Sequence, residues 1–307
     1  MNEVVVIGSL NMDLVVRVEK MPKPKETVRG GDLLTIPGGK GANQAAAAAL
    51  LGNPVIMIGR VGKDEFGTAL VASLNHCGVL TENILRDETS VTGTAMITVD
   101  EYGDNWIIIS PGANGKVTPE DVIKADHLIK SAKFLLLQLE IPLDVVECAI
   151  QIAYQSNVSV VLNPSPVLEL PKELLAMIDY LILNEIEAST ISEVDVCDLV
   201  SAEEAAKQIL DRGVTNVIIT LGAAGSLLVT REFVNHIPAI NVEAIDTTAA
   251  GDAFIGGFVT GLIRGFSLLE SVRYGNCAGA IAVTRKGAQT SLPNRKAADD
   301  LYRSVKN

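Results

Sequence analysis

From residue 55 onward, short apolar runs of strand length alternate with longer segments of helical period, and this alternation constrains the fold more than any other feature. Val55–Ile58, Phe134–Leu137, Val158–Leu162, Tyr180–Leu183 and Val217–Leu221 carry no charge and read as strands apolar on both faces. Helix-start signals fall between them. Thr118-Pro-Glu-Asp121 places Thr as N-cap with Pro at the first helical position, and Ser201-Ala-Glu-Glu204 has the form of a capping box. Strands separated by helices predict a mostly parallel sheet with crossover helices, hence an α/β fold.

Before residue 55 the texture is mixed. Glu3-Val-Val-Val-Ile-Gly8 reads as a buried strand, and Ser9-Leu-Asn11-Met12-Asp13 puts polar groups at its C-terminal end, the edge where open parallel sheets bind ligands. Asn11 and Asp13 suit sugar hydroxyls, and equally suit a turn. Val16–Val18, Leu33–Ile36, Thr94–Thr98 and Trp106–Ile109 have the look of half-exposed strands outside the main sheet. They predict a small β lid inserted from about 14–37 and 93–110 into one domain spanning 1–307, or else edge strands of the main sheet.

Two glycine-containing stretches carry the chemistry. Pro37-Gly-Gly-Lys-Gly-Ala-Asn-Gln44 opens an alanine-rich helix running to Leu51, and its glycines let the backbone approach a ligand beside Lys40 and Asn43. It is no P-loop: Gly41 follows Lys40 where Ser or Thr is required, and position 34 is leucine. Asp246-Thr-Thr-Ala-Ala-Gly-Asp-Ala-Phe254 reads as a loop entering a helix N-terminus, a natural anion site, with Asp252 placed to take a proton from a hydroxyl. Taken alone it is equally a capped helix with Thr247 or Thr248 as N-cap. Asn184-Glu-Ile-Glu187 fits a capping box, Thr220-Leu-Gly-Ala-Ala-Gly225 is a strand leaving into a glycine-rich turn, and Glu140 stands at the sheet rim.

With 25 basic and 37 acidic residues the net charge is −12, which argues against nucleic-acid or anionic-membrane partners. Cys77, Cys148, Cys197 and Cys277 form no Cys-x-x-Cys pair, and the N-terminal residues run straight into a strand without a signal-peptide pattern. A cytoplasmic protein is the expectation.

In sequence order, Gly38-Gly-Lys-Gly-Ala-Asn-Gln44, Asn184-x-x-Glu187, Thr220-Leu-Gly222 and Asp246–Phe254 together resemble the ribokinase family of carbohydrate kinases, over Val4 to about Pro293. Asn11-Met-Asp13, Gln138-Leu-Glu140 and Val283–Gln289 narrow the resemblance to the ribose-specific branch. One departure is Ala249, where the broader family often has glycine. The resemblance implies a three-layer sandwich with a β lid that often pairs with a second subunit, making a homodimer. It also implies ATP-dependent phosphorylation of the ribose 5-hydroxyl, with Asp252 as base and an anion hole from the amides of Ala249, Ala250 and Gly251.

By the same match, the sugar would lie against Asn11, Met12, Asp13, Gly39, Lys40, Gly41, Ala42, Asn43, Glu140 and Asp252. ATP would lie along Asn184, Glu187, Thr220, Leu221, Gly222, Ala223, Ala224, Gly225, Gly251, Asp252 and Asn276. Mg²⁺ would bridge the phosphates with Asn184 and Glu187 organising its water shell. A potassium ion would be held, largely through carbonyls, by Asp246, Thr248, Ala282, Arg285, Gly287 and Ser291. The competing expectations are a kinase for 2-deoxyribose, fructose or a nucleoside, and a sugar sensor that kept the fold without the chemistry.

Overall fold

Strand β1 (Val4–Ile7) is buried at every residue and pairs in parallel with a neighbour on each side. It is the middle of the molecule. The computed structural model describes residues 3–306; Met1 and Asn2, which the sequence reading led into this strand, and Asn307 lie outside.

Thirteen strands form among the described residues: β1, β2 (Asn11–Arg17), β3 (Leu34–Gly38), β4 (Val55–Gly62), β5 (Leu80–Asp87), β6 (Gly93–Val99), β7 (Asn105–Ser110), β8 (Phe134–Leu137), β9 (Ser159–Leu162), β10 (Tyr180–Asn184), β11 (Asn216–Thr220), β12 (Ser226–Val229) and β13 (Val234–Ile237). Nine make one sheet in the order β13-β12-β11-β10-β9-β8-β1-β4-β5. Its pairings are parallel except at one edge, where β12 and β13 are antiparallel. The α-helices are α1 (Lys40–Leu50), α2 (Glu65–His76), α3 (Pro119–Lys124), α4 (Asp126–Lys130), α5 (Leu143–Gln155), α6 (Lys172–Leu175), α7 (Glu185–Ser192), α8 (Leu199–Asp211), α9 (Ala250–Ile263), α10 (Leu268–Val283) and α11 (Arg295–Lys306).

Alternation along β1 splits the core into two layers. Val5 and Ile7 face a cluster that includes Val146 and Ala149 of α5 and Ala205 and Ile209 of α8. Val4 and Val6 face the other, with Ala45–Ala48 of α1, Phe258 of α9 and Tyr274 of α10. The alanines of α1 serve close packing: a Cβ on Gly256 of α9 would come within 2.5 Å of the Ala47 Cβ. The architecture is therefore a three-layer α/β sandwich with a second, four-stranded sheet ordered β3-β2-β6-β7.

Several expectations shift on contact with the structure. Asn11 and Asp13 do not end the first strand; they begin β2 of the small sheet, which starts at Asn11 and runs through Gly38 and Ser110. Helix α8 opens at Leu199 with Asp198 as N-cap, so Ser201 is its third residue and receives the cap rather than providing it. Neither Thr247 nor Thr248 caps α9. The N-cap is Ala249 in the left-handed region (φ 58°), because the Asp246 carboxylate accepts from the Thr248 amide at 2.9 Å and turns the chain before the helix begins. Strands β5, β12 and β13 had no distinct expectation. The capping box at Thr118/Asp121 forms, and so does the one at Asn184/Glu187.

Candidate active site

The C-terminal ends of β1, β8, β9, β10 and β11 point the same way, and the N-termini of α1 and α9 meet them there. Gly41 can sit in the first turn of α1 at this point because it packs on the chain after β1: a Cβ on it would be 2.6 Å from the Ser9 amide nitrogen. Gly39 (φ 90°) has the left-handed backbone that only glycine takes without strain, and its Cβ position is 2.6 Å from the Asn11 nitrogen.

Asp252 sits in the first turn of α9, 8% exposed. Asn43 donates Nδ2 to its Oδ2 and Gln44 donates Nε2 to its Oδ1, each at 3.0 Å. Burial raises the Asp252 pKa to about 6, opposed by Lys40 and these two amides and assisted by Glu140. A carboxylate of this pKa is ionised at neutral pH and still able to accept a proton.

Facing it is a polar group from four segments. One Glu140 oxygen accepts from the Ser9 hydroxyl in a short hydrogen bond, from the Lys40 amide at 3.2 Å and from Asn11 Nδ2 at 3.4 Å. Asp13 presses against Gly38, where a Cβ would fall 2.3 Å from its Oδ2. Its pKa rises to about 7 through burial, then the fields of Glu140 and Asp252, with Lys40 opposing. Burial alone would lower the Lys40 pKa; Asp252, Glu140, Glu187 and Asp13 outweigh it and hold the ammonium above the ordinary lysine value. The result is a pocket of carboxylate acceptors and amide donors around one cation, suited to a polyhydroxyl ligand. Met12 is buried in the apolar core, and Ala42 likewise, so neither presents a polar side chain here.

On the other side of Asp252 lies a cavity of about 210 Å³ whose wall includes Lys40, Asn163, Asn184, Glu187, Thr220, Ala250 and Gly251. A Cβ on Gly251 would meet open space, and the Gly251 and Asp252 amides belong to the first turn, without an i−4 acceptor. The Ala250 amide donates to Thr247 O at 3.2 Å, so that member of the expected anion hole already has an internal partner. Glu187 Oε2 accepts from the Asn184 amide at 3.0 Å, and Asn184 Oδ1 from the Glu187 amide at 2.9 Å.

Beyond β11, Gly222, Ala223 and Ala224 form an exposed 3₁₀ turn closed by Leu221 N donating to Gly225 O at 2.8 Å. Gly225 is packed so that a Cβ would lie 2.2 Å from Ile237 O. Asn276 of α10 stands beside this turn's exit, accepting from Ser226 Oγ at 3.1 Å and donating to Ile237 O at 3.3 Å. Thr220, at the end of β11, ties this turn to the cavity wall.

The residues expected around a monovalent cation lie on the loop before α9, at the end of α10 and on the turns that follow it. Asp246 accepts from the Thr248 and Gly287 amides at 2.9 Å each, and its own amide donates to Val283 O at 3.2 Å. Burial pushes its pKa up, but the Gly287 and Thr248 contacts outweigh it and keep the carboxylate below the usual range. The Ala282 carbonyl accepts from the Arg285 amide at 3.1 Å, and Ser291 Oγ donates to Ala288 O. One ionised carboxylate amid backbone carbonyls is a hard-oxygen donor set that fits a weakly bound cation. Among the described residues no cluster of three or more His, Cys, Asp or Glu suits a tightly held metal.

Four residues escaped the sequence reading as functional: Gln44, Gln138, Asn114 and Asn163. Gln44 and Gln138 lay in stretches that carried the family resemblance, without a role. Asn114 donates Nδ2 to Asn11 Oδ1 at 2.7 Å, and Asn163 lines the cavity between Gln44 and Glu187. No local pattern marks a lone buried amide.

A family model described as pfkB family carbohydrate kinase matches residues 1–295. The chain belongs to this family. It is 43% identical over 291 residues to a ribokinase of Haemophilus influenzae, covering 95% of each chain. To a deoxyribokinase of Salmonella typhi it is 35% identical over 293 residues, 95% of this chain and 96% of the other. Among solved structures, Arabidopsis thaliana ribokinase complexed with ribose and ATP superimposes with a TM-score of 0.91 at 32% identity, over 99% of both chains.

Proposed function

We propose that this chain transfers the γ-phosphoryl group of ATP to the 5-hydroxyl of D-ribose. The observation that carries the reading is the position of Asp252, shared between the polar pocket of Asn11, Asp13, Lys40, Asn43 and Glu140 and the cavity at the start of α9. Similarity to ribokinases over nearly the whole chain supports ribose as the acceptor.

In this mechanism the pocket orients the sugar so that one hydroxyl faces the Asp252 carboxylate, which takes its proton as the bond to phosphorus forms. Phosphoryl transfer depends mainly on positioning and electrostatics, so the first-turn amides at Gly251 and Asp252, with Ala249 and Lys40, supply positive potential where charge accumulates. Nucleotide would lie along Thr220 to Gly225 and Asn276. Bound Mg²⁺ supplies charge neutralisation on the phosphates; Asn184 and Glu187 would order its water shell. K⁺ held by Asp246, Thr248, Ala282, Arg285, Gly287 and Ser291 would stiffen the loop before α9.

The small sheet serves as a lid over the sugar, since Asn11 and Asp13 are part of β2. Strands β3, β6 and β7 leave Leu34, Met96, Trp106, Ile107 and Ile108 about half exposed, Met96, Trp106 and Ile108 on one face and Leu34 and Ile107 on the other. A second copy packing on this sheet accounts for that exposed apolar surface, giving a homodimer. Four unpaired cysteines support a reducing, cytoplasmic setting.

A second reading, 2-deoxyribose as acceptor, is favoured by the similarity to a deoxyribokinase. ADP release with MgATP on D-ribose, 2-deoxy-D-ribose, D-fructose and adenosine, each with and without K⁺, separates the two. The highest kcat/KM on ribose, raised by K⁺, is expected; preference for another acceptor reassigns the sugar.

A further inference from the structure

Asp252 accepts from two amides, and one of them leads away from the site. Gln44, 1% exposed, donates Nε2 to Asp252 Oδ1 at 3.0 Å and accepts at Oε1 from Gln138 Nε2 at 2.5 Å. Gln138 is wholly buried just beyond β8. The direction of both amides follows from the carboxylate. An ionised Asp252 can only accept, so Gln44 must turn its NH₂ group inward; Oε1 then faces Gln138, which must offer its own NH₂. The remaining hydrogen on Gln44 Nε2 is directed toward Asn163 Oδ1 at 3.4 Å.

The far end of this relay shows its cost. Gln138 Oε1 is buried without a hydrogen-bond partner, pressed where a Cβ on Gly8 would lie 2.1 Å away. Turning Gln138 over would set two acceptor oxygens against each other at Gln44. A buried acceptor left without a partner is destabilising, and the fold carries it at this position in order to keep the relay pointing one way.

We propose that Gln44 is a positioning residue for phosphoryl transfer, fixing the orientation of the Asp252 carboxylate, and that Gln138 locks Gln44 in the one amide orientation that can do so. The proposal rests on the reading of Asp252 as base. By donating to the ionised form, Gln44 also opposes the effect of burial on Asp252. The charged groups facing Asp252 are Lys40 of α1, Glu140 beyond β8 and Asp13 of β2, with Glu187 of α7 across the cavity. None of them is altered by a change at Gln44.

The test is Gln44→Met, which keeps side-chain length and removes the donor, with Gln138→Leu as a second variant. Asp252 is followed by side-chain ¹³C titration of the ligand-free protein, a readout independent of which sugar is phosphorylated, and the acid limb of kcat/KM is measured beside it. The Asp252 midpoint and the acid limb are expected to rise together by about one pH unit in Gln44→Met. A smaller rise is expected in Gln138→Leu, with sugar KM near the wild-type value. A midpoint unmoved in the variants, with rate lost evenly at every pH, overturns the proposal. Should Gln44→Met not fold, the titration of Gln138→Leu decides in the same way. A moved midpoint beside an Asp252→Asn enzyme that still turns over overturns the base reading, and with it the catalytic sense of the relay.

Discussion

Asn114 donates Nδ2 to Asn11 Oδ1 across 2.7 Å, and the two residues are 103 positions apart. The same Asn114 accepts from the Leu10 amide at 2.9 Å and donates to the Leu10 carbonyl at 3.0 Å. It lies where the chain leaves the small sheet after β7. Its contacts consume the Asn11 oxygen and leave Asn11 Nδ2 to face Glu140 and the sugar side of the site.

Replacing Asn114 with leucine frees the Asn11 amide to rotate and orphans both polar groups of Leu10. Each orphaned buried group costs about 1–3 kcal/mol. The expected outcome is a lower melting temperature and a sugar KM raised about tenfold, with kcat less affected. Steady-state kinetics and thermal denaturation of the one variant check both.

Ala249 holds a left-handed conformation (φ 58°, ψ 13°) at the N-cap of α9. An L-residue pays about 1–2 kcal/mol there, partly offset by the lower unfolded-state entropy of alanine against glycine. Ala249→Gly is expected to stabilise the protein by about 0.5–1 kcal/mol with activity retained. Ala249→Val, β-branched, is expected to lose both stability and turnover. Denaturant unfolding beside the kinase assay checks the pair.

Stability and activity should respond to pH in opposite directions. Asp252 and Asp13 have folded pKa values raised to about 6 and about 7. A carboxyl group raised on folding contributes stability that is complete below its unfolded pKa and lost as pH climbs through the folded value. Asp64, Asp87, Asp246 and Asp299 are shifted downward, so their contribution changes only at more acid pH. Between pH 5 and 8 the ligand-free protein is therefore expected to melt at falling temperature while kcat/KM rises with ionisation of Asp252. Melting curves and rate profiles over that range test the crossing.

Glu140 gathers Ser9, Asn11 and the Lys40 amide on one oxygen. Glu140→Ala should raise the sugar KM far more than it lowers kcat. An unchanged KM would remove Glu140 from the sugar pocket.

What the sequence revealed of this molecule follows the range of the interactions. The uncharged runs at Val55, Phe134, Tyr180 and Val217 were legible as buried strands because burial on both faces needs no partner to be named. Asn184 and Glu187 were legible because a capping box closes within four residues. Ser201 was misplaced by three residues, since Asp198 makes an equally good cap and only the folded chain chooses between them. Ala249 was legible only as a departure from glycine; its left-handed backbone depends on Asp246 turning the loop. Gln44 with Gln138, and Asn114 with Asn11, are single amides whose partners are 94 and 103 residues away. Nothing local distinguishes them from solvated side chains. The antiparallel edge of β12 and β13 went unread because only a short turn, not a helix, separates β12 from β11, and β13 is Val-Asn-His-Ile, without an apolar run.

The central claim is that Asp252 takes the proton of the acceptor hydroxyl while the surrounding pocket holds the sugar. Asp252→Asn keeps the size of the side chain and removes the base. Measured together, turnover with MgATP and ribose and the equilibrium Kd for ribose should separate: kcat falls by about 10²–10⁴-fold while Kd stays close to the wild-type value. Near-normal turnover in Asp252→Asn would contradict the account.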